Sequence, residues 1–182
     1  MQTPDTLSTE LSSRAVVRHL LATLAYRAAK VLRDVPPEFT TAAAGPTTRS
    51  PVRLVAHIAD LMAWGVTIAR GQYVWKAEGG DDWDIEVRRF FEGLAAIDRE
   101  LAVEGAFAGS LEQLIQGPLA DALTHVGQIA MLRGMAGSPV RPESYARAEI
   151  VRGRVGPGQA PARREFDGDA SRPRRPDEGR RG

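Results

Sequence analysis

Two polar side chains in an otherwise apolar helical segment are the residues of this chain best suited to chemistry. Asp121 and His125 lie four residues apart in PLADALTHVGQIAMLRGM, and His57 lies in a second apolar segment, VRLVAHIADLMAW. Residues four apart on a helix share one face, with Cβ atoms about 5–6 Å apart. Both side chains could therefore bind one ion, with His57 as a third ligand from a neighbouring helix. Three nitrogen and oxygen ligands that leave a position open are typical of a catalytic metal site.

The ligand types leave the identity of the metal open. Imidazole and carboxylate groups suit Zn²⁺, Ni²⁺, Mn²⁺ and Fe²⁺ alike. An ion with an open position lowers the pKa of bound water or thiol and so supplies a nucleophile near neutral pH. The pattern therefore predicts metal-assisted hydrolysis or thiol activation directed at a small-molecule substrate.

A purely structural interpretation competes with the metal site. In it, His57 is a partly buried histidine that is hydrogen-bonded to Asp121, and no ion is present. Against it stands the apolar sequence around these residues, because a carboxylate among apolar neighbours costs several kcal/mol unless it is paired or bound to a metal. A shared ion would remove that cost for His57, Asp121 and His125 together.

A few other residues could support such a site. Gln128 could hydrogen-bond one of the metal-binding side chains and so orient it, or it could serve only in packing. Asp60, one turn from His57, could orient the imidazole or line a pocket, although an exposed helix acid is the favoured interpretation. His19, beside Arg18, is given no ligand role. The tryptophans are expected in the core or at a dimer surface rather than as a substrate platform; they are Trp64, Trp75 and Trp83.

Four long segments have helical periodicity, and strand-like alternation is sparse. The first is predicted from residue 9 or 12 to Leu32, where the prolines at 36 and 37 prevent its continuation. The second is predicted to begin with Ser50 as N-cap and Pro51 as first helical residue, and to run towards Trp75.

The remaining two helices have their own start signals. Aspartates at 81, 82 and 84 precede a third helix, whose apolar residues recur at spacings of four, three and four. Ser110 with Gln113 is a capping-box pattern that opens a fourth helix, predicted to end near Met135. Gly117 and Pro118 are expected to bend or restart that helix just before Asp121, or else the helix begins at Pro118. Four amphipathic helices predict an all-α, four-helix bundle.

Length and charge predict one domain with an extension. A chain of 182 residues suits a bundle over residues 1–139, an irregular extension packed on it over 140–162, and a flexible Arg/Pro-rich tail over 163–182. Lys plus Arg (24) nearly balance Asp plus Glu (23), which argues against a nucleic acid or an anionic membrane as partner. The short arginine clusters of the tail are broken by acids and prolines, and are expected to be solvated.

The chain contains no cysteine. A disulfide, a thiolate metal site and a protein thiol nucleophile are thereby excluded, so thiol chemistry would need a thiol cosubstrate. The N-terminus has neither a basic leader nor an apolar segment after it, and no stretch is expected to approach the roughly 20 apolar residues that cross a bilayer. A soluble, cytoplasmic protein is expected.

The segments HIADLMAW and DALTHVGQI resemble the two signatures of the DinB-like, or bacillithiol-transferase-like, metalloprotein superfamily. The resemblance covers roughly residues 7–139. In that family the fourth helix usually carries His-x-x-x-His followed closely by Gly-Gln. Here Asp121 takes the first position, His125 the second, and Gly127 with Gln128 the following pair, while His57 matches the single histidine of the second helix. The resemblance implies an up-down-down-up bundle with a divalent metal between its helices.

Asp121 departs from the usual histidine. Relatives similar to the mycothiol-dependent maleylpyruvate isomerases carry a carboxylate there and are regarded as metal enzymes. The resemblance implies a thiol S-transferase or isomerase that activates a low-molecular-weight thiol, or a metal-assisted hydrolase. The departure motivates an alternative, a non-catalytic DinB-fold module that binds a partner without metal. A homodimer is expected in either case, since apolar faces of bundles commonly pair.

Overall fold

The computed structural model describes residues 4–43 and 45–166 of the chain. The α-helices are α1 (Pro4–Leu32), α2 (Pro51–Ala69), α3 (Trp83–Ala102), α4 (Leu111–Leu114) and α5 (Ala120–Met135), of which α4 is a single short turn. A π-helical turn, Ile115–Leu119, joins α4 to α5, so these three form the fourth long helical segment. Two 3₁₀ turns lie at Pro37–Phe39 and Tyr145–Arg147. Within the described ranges the strand-like pairing is a single bridge between Glu143 and Glu165, and the predicted all-α class is confirmed.

The helices bury one face each against a shared aliphatic core. Helices α1 and α2 each pack against both α3 and α5, and the largest of these interfaces joins α2 to α3. The largest side chains enclosed there have almost no exposed surface; they include Leu21, Leu24, Ile58, Met62, Phe90, Leu94, Ile97 and Ile129. The packing is bundle-like, as the four amphipathic patterns predict. The up-down-down-up order of the helices stays a prediction.

A glycine sets the spacing between α2 and α3. A Cβ atom added at Gly93 would lie 2.5 Å from the Cβ of Met62, which is fully buried. Nothing larger than hydrogen fits there without a shift of one helix backbone. The closest approach of the two helices therefore depends on Gly93.

Substitution of this glycine is expected to destabilise the fold. Gly93→Ala should lower the free energy of unfolding by about 1–3 kcal/mol, the usual cost of overpacking. Gly134→Ala on α5 is the matched control, because an added Cβ there meets nothing within 4 Å. That control should stabilise by up to about 1 kcal/mol, since alanine is the better helix former. Urea unfolding of both variants measures the difference, and equal effects would contradict this account of the α2–α3 interface.

Two of the predicted helix starts are made by side-chain caps. The Asp82 carboxylate accepts a hydrogen bond from the backbone N–H of Ile85 at 2.9 Å, and the Ser110 hydroxyl accepts one from that of Gln113 at 3.2 Å. Each satisfies an N–H that the first helical turn leaves unpaired. Helix α2 begins at Pro51 as predicted, but the side chain of Ser50 makes no cap hydrogen bond.

Two helix limits differ from the sequence prediction. Helix α1 begins at Pro4, earlier than residue 9 or 12, and proline is well suited to a first helical position. Helix α2 ends at Ala69, well before Trp75. The backbone of Gly71 has φ +72°, and an added Cβ there would lie 2.8 Å from the carbonyl oxygen of Ala108. The chain thus leaves the helix at a position that favours glycine, and residues 70–78 are exposed.

Helix α2 is more apolar than the sequence analysis allowed. A stretch of 18 residues within Pro51–Ala69 has a mean hydropathy of 1.4, so the helix is long and apolar enough to cross a membrane by length and composition. The expectation that no stretch approaches this limit is therefore wrong. Inside the protein 67% of this stretch is buried, as in the core helix of a soluble protein.

A cluster of charges holds the segment after the bundle against α1. The Tyr26 hydroxyl donates to Glu143 Oε1 at 2.6 Å, and Lys30 Nζ donates to Glu143 Oε2 at 2.8 Å and to Glu165 Oε1 at 2.7 Å. The side chain of Glu143 is fully buried in this cluster. A buried carboxylate needs such partners, because it would otherwise lose its hydration without compensation.

The packed segment extends beyond its predicted limit at residue 162. The backbone N–H of Phe166 donates to the carbonyl oxygen of Pro142 at 2.9 Å, and that of Ser144 donates to Arg164 at 3.0 Å. Residues 163–166 are therefore held by pairing with residues 142–144, although they were predicted to begin the flexible tail. The predicted tail from residue 167 onward lies outside the described residues.

The Lys30 cluster should make stability depend on pH. Burial lowers the pKa of Lys30, but its hydrogen bonds to Glu143 and Glu165 outweigh this and leave that pKa raised. The same contact with Lys30 lowers the pKa of Glu165. A lysine whose pKa is raised on folding stabilises the folded protein fully below its unfolded pKa of about 10.4. A glutamate whose pKa is lowered on folding stabilises the folded protein fully above its unfolded pKa of about 4.3.

We therefore expect the cluster to contribute its full stabilisation between about pH 5 and pH 10. The contribution is lost at high pH as Lys30 deprotonates through its folded pKa, and at low pH as Glu165 is protonated through its folded pKa. The measurement is the difference in urea unfolding between wild type and Lys30→Met as a function of pH. It should be largest inside this window and should shrink on both sides. Arg88→Met, at an exposed position on α3, is the control and should give a small, pH-independent difference. A flat profile for Lys30→Met would contradict this role of the cluster.

Candidate metal centre

The contact between α2 and α5 brings the three predicted ligands together. His57 Nε2 lies 3.4 Å from Asp121 Oδ2, and His125 Nε2 lies 3.3 Å from Asp121 Oδ1. One ligand atom from each residue lies within 4.8 Å of the others, so small side-chain rotations would let one ion reach all three. The two imidazole rings meet edge to face, with centroids 4.9 Å apart. This group could hold a metal ion.

The three donor groups suit a divalent ion. Two imidazole nitrogens and a carboxylate are ligand types that Zn²⁺, Ni²⁺, Mn²⁺ and Fe²⁺ accept. The two nitrogen-to-oxygen distances of 3.3 and 3.4 Å, to the two oxygens of Asp121, are longer than the roughly 2.7–3.2 Å of an ordinary N–H···O hydrogen bond. The donor set therefore fits a divalent ion.

The other nitrogen of His125 has a partner on the same helix. His125 Nδ1 lies 2.7 Å from Gln128 Oε1. With the amide oxygen facing the ring, Nδ1 is the donor, and Nε2 of the neutral ring in that tautomer is an acceptor. In that tautomer two acceptors, His125 Nε2 and Asp121 Oδ1, face each other at 3.3 Å. A cation or a second proton on the ring is needed to make that contact favourable.

The surroundings of His57 keep it in the form that binds metal. Burial lowers the pKa of His57, and the positive charge of Arg49 and the nearness of His125 lower it further, while Asp121 acts in the opposite direction. The net shift is downward from an ordinary value of about 6.5. His57 is therefore mostly neutral at pH 7, and the neutral imidazole is the ligand form.

Asp121 is less enclosed than the sequence suggested. Its side chain is 45% exposed, against 21% for His57 and 14% for His125. The burial cost that favoured a shared ion in the sequence analysis therefore applies only in part, because α5 turns this carboxylate towards the rim of the bundle. The two histidines form the inner side of the group, and its outer side is open to a water molecule or a substrate.

A π-helical turn precedes the ligand face of α5. Pro118 lies inside this turn, which continues the helix instead of ending it, so a helix start at Pro118 is wrong. A π turn leaves room where proline lacks an N–H to donate. The turn packs closely on α2, because a Cβ at Gly117 would lie 3.1 Å from Trp64 Cζ3. Gly117 and Pro118 therefore set how α5 presents Asp121 next to α2.

Asp60 serves the fold and not the imidazole of His57. Asp60 is only 5% exposed, so the favoured interpretation of an exposed helix acid is wrong. Its oxygens accept hydrogen bonds from the backbone N–H groups of Glu78 and Gly79 at 3.2 Å, and from Arg89 Nη2 at 2.8 Å. These bonds tie the loop after α2 to α3. These partners contradict the predicted role of Asp60 in orienting His57.

Aromatic residues of that loop lie beside the site. The ring of Trp75 meets His57 edge to face at 6.0 Å and Trp64 at 5.8 Å. Trp75 is 45% exposed, so it is not part of the core, and its place at a dimer surface stays a prediction. Its position next to a ligand could not be predicted from the sequence. Trp83 is partly buried against the core and meets the ring of Phe39 at 6.2 Å, in keeping with the first of its two predicted positions, core or dimer surface. His19 is exposed on α1 and takes no part in the site.

A pocket opens on the other side of His125. Its volume is 320 Å³, and it lies between the loop that precedes α2 and the outer face of α5. Beside His125 and Gln128 it is lined by residues that have no chemical signature in the sequence; they include Arg49, Leu54, Met131 and Leu132. Arg49 and Leu54 are distant from α5 in sequence, so only the fold identifies them as neighbours of the site.

Comparisons of the chain with protein-family models, with curated proteins and with solved structures found no match. The functional interpretation therefore depends on the geometry of His57, Asp121 and His125 and on the pocket beside them.

Proposed function

We propose that this chain is a divalent-metal-dependent enzyme of the DinB-like superfamily, which activates a low-molecular-weight thiol or water against a small electrophile. The observation that carries the proposal is the convergence of His57, Asp121 and His125, whose ligand atoms lie within 4.8 Å of one another. His57 Nε2, His125 Nε2 and an oxygen of Asp121 would hold the ion. The absence of cysteine means that a thiol must come from a cosubstrate.

Each residue of the group has a separate part in the proposed site. Asp121 would supply the negative charge, and its exposed side would leave room for water or a substrate. His57, neutral because of burial and the charge of Arg49, supplies a nitrogen from α2. Gln128 holds His125 Nδ1–H and so directs the lone pair of Nε2 at the ion. A bound divalent ion would lower the pKa of a coordinated thiol or water to near neutrality.

Metal binding is the first experiment. The protein is purified without chelator and its metal content measured, and melting temperatures are then recorded with Zn²⁺, Ni²⁺, Mn²⁺ and Fe²⁺. One equivalent of metal and a rise in melting temperature are expected, because a ligand that binds the native state stabilises it. Mg²⁺ is the control and should have little effect, since it prefers oxygen ligands. No bound metal and no rise with any of the four ions would overturn the proposal.

Activity is tested on the loaded protein with two simple reactions. Thiol transfer is followed with L-cysteine and 1-chloro-2,4-dinitrobenzene, in which a carbon–sulfur bond forms and chloride leaves. Hydrolysis is followed with 4-nitrophenyl acetate. A rate that depends on metal in the first reaction indicates thiol activation, and in the second indicates water activation. A metal-free protein that elutes as a dimer and catalyses neither reaction would support the non-catalytic alternative instead.

A further inference from the structure

The pocket beside His125 has a ligand-sized volume. At 320 Å³ it lies at the lower end of the roughly 300–1,000 Å³ that small-molecule sites occupy. Because His125 is itself part of the pocket wall, a molecule inside the pocket would lie next to the proposed metal ligands. The pocket is thus placed to receive the substrate of that site.

The walls of the pocket are mostly apolar. Leu54 of α2 and Leu132 of α5 lie on its two sides, and Met131, which is 60% exposed, forms part of its rim. Exposed methionine is flexible and polarisable and adapts to different apolar ligands. These residues would bury the hydrocarbon part of a ligand and provide no charge.

The formal charge of the pocket comes from one arginine. Arg49 has no hydrogen-bond or ion-pair partner within residues 4–43 and 45–166, whereas Arg18, Arg53, Arg70 and Arg89 are each paired with a carboxylate there. Its charge also lowers the pKa of His57, so the guanidinium lies close to the metal site. An unpaired guanidinium beside apolar walls is suited to bidentate recognition of an oxyanion.

We propose that this pocket binds a small organic carboxylate, with its carboxylate on Arg49 and its hydrocarbon body between Leu54 and Leu132. A single positive charge matches a monoanionic carboxylate better than a dianionic phosphate. The inference rests on the proposed function in one respect, because it makes the end of the ligand beside His125 the reacting end. The binding itself does not require the metal.

Binding is measured by calorimetry on the full chain, with and without Zn²⁺, using 4-phenylbutanoate as probe. Its amide, 4-phenylbutanamide, has the same body without the charge, and phenyl phosphate offers the dianion. The carboxylate should bind about 10- to 100-fold more tightly than the amide, which is the usual value of a charge-assisted hydrogen bond. Equal binding of carboxylate and amide, tighter binding of phenyl phosphate, or no binding of any probe would overturn the inference.

Three variants locate the binding. Arg49→Gln should remove the preference for carboxylate over amide, while Arg53→Gln, at an exposed arginine four residues further along the chain, should keep it. Met131→Trp places a larger side chain at the exposed rim and should weaken both probes together. If Arg49→Gln keeps the wild-type preference, the assignment of Arg49 is wrong.

The metal response of the same variants separates this inference from the proposed function. Arg49→Gln should bind Zn²⁺ at least as tightly as wild type, because it removes a positive charge near the ion. A chain that takes up no metal but still prefers the carboxylate through Arg49 refutes the proposed function and retains the pocket. A chain that binds metal but shows no such preference refutes the pocket alone.

Discussion

Replacing His125 by alanine is expected to abolish most of the stabilisation that Zn²⁺ gives to the wild-type chain. At a free metal concentration 1,000 times the Kd, the wild type should gain about 4 kcal/mol in free energy of unfolding. For a chain of this size the melting temperature rises by about 2–4 °C per kcal/mol. His125→Ala removes both the Nε2 ligand and the contact with Gln128, so its melting temperature should respond little to Zn²⁺.

The matched control is His19→Ala. His19 is exposed on α1 and lies outside the group of three ligands, so this variant should keep the full response to Zn²⁺. His57→Ala should behave like His125→Ala, because it removes the ligand from α2. An equal response to Zn²⁺ in His19→Ala and His125→Ala would show that the ion binds elsewhere.

Asp121→Asn distinguishes a metal site from a structural hydrogen-bond network. Without metal, the asparagine amide could accept from His57 with its oxygen and donate to His125 Nε2 with its nitrogen, which removes the contact between two acceptors. The metal-free variant should therefore be more stable than wild type by about 0.5–1.5 kcal/mol, while its affinity for Zn²⁺ falls. If Asp121 were instead an acceptor from a protonated His125, the same variant would be less stable than wild type.

Arg133→Met is expected to be the most destabilising substitution outside the apolar core. Arg133 on α5 is 7% exposed, and its guanidinium donates to the carbonyl oxygens of Val31 and Arg33 at 2.9 Å and to that of Ser138 at 3.0 Å. It thus satisfies the carbonyl groups that the end of α1 leaves unpaired. Their loss should cost about 3 kcal/mol or more, because each buried acceptor without a partner costs about 1–3 kcal/mol.

The control for Arg133→Met is Arg88→Met, at an exposed position on α3, which should change stability by less than about 0.5 kcal/mol. Arg133→Lys should recover only part of the loss, since one ammonium group cannot replace the fork of donors. Urea unfolding at pH 7 measures all three. Equal stability of Arg133→Met and wild type would show that water serves the α1 carbonyl groups just as well.

The local elements of this protein could be read from its sequence because their causes are local. The spacing of Phe90, Leu94, Ile97 and Leu101 predicted a buried face of α3, and all four are buried. The caps at Asp82 and Ser110 depend on hydrogen bonds between residues that are three positions apart in the sequence. The pairing of Asp121 with His125 on one face follows from the pitch of a helix.

The contacts between distant segments were decided only by the tertiary structure. The sequence placed Asp60 beside His57 by spacing, but the packing of α3 and of the loop after α2 draws its carboxylate to Arg89 and the backbone of Gly79. The approach of Arg49 to His57, and of Trp75 to the same ring, likewise depends on how loops return to the bundle. Helical periodicity specifies which side of a helix is buried, but it carries no information about which loop covers that side. The ligand types were therefore available from sequence, whereas the charge and the pocket beside them required the fold.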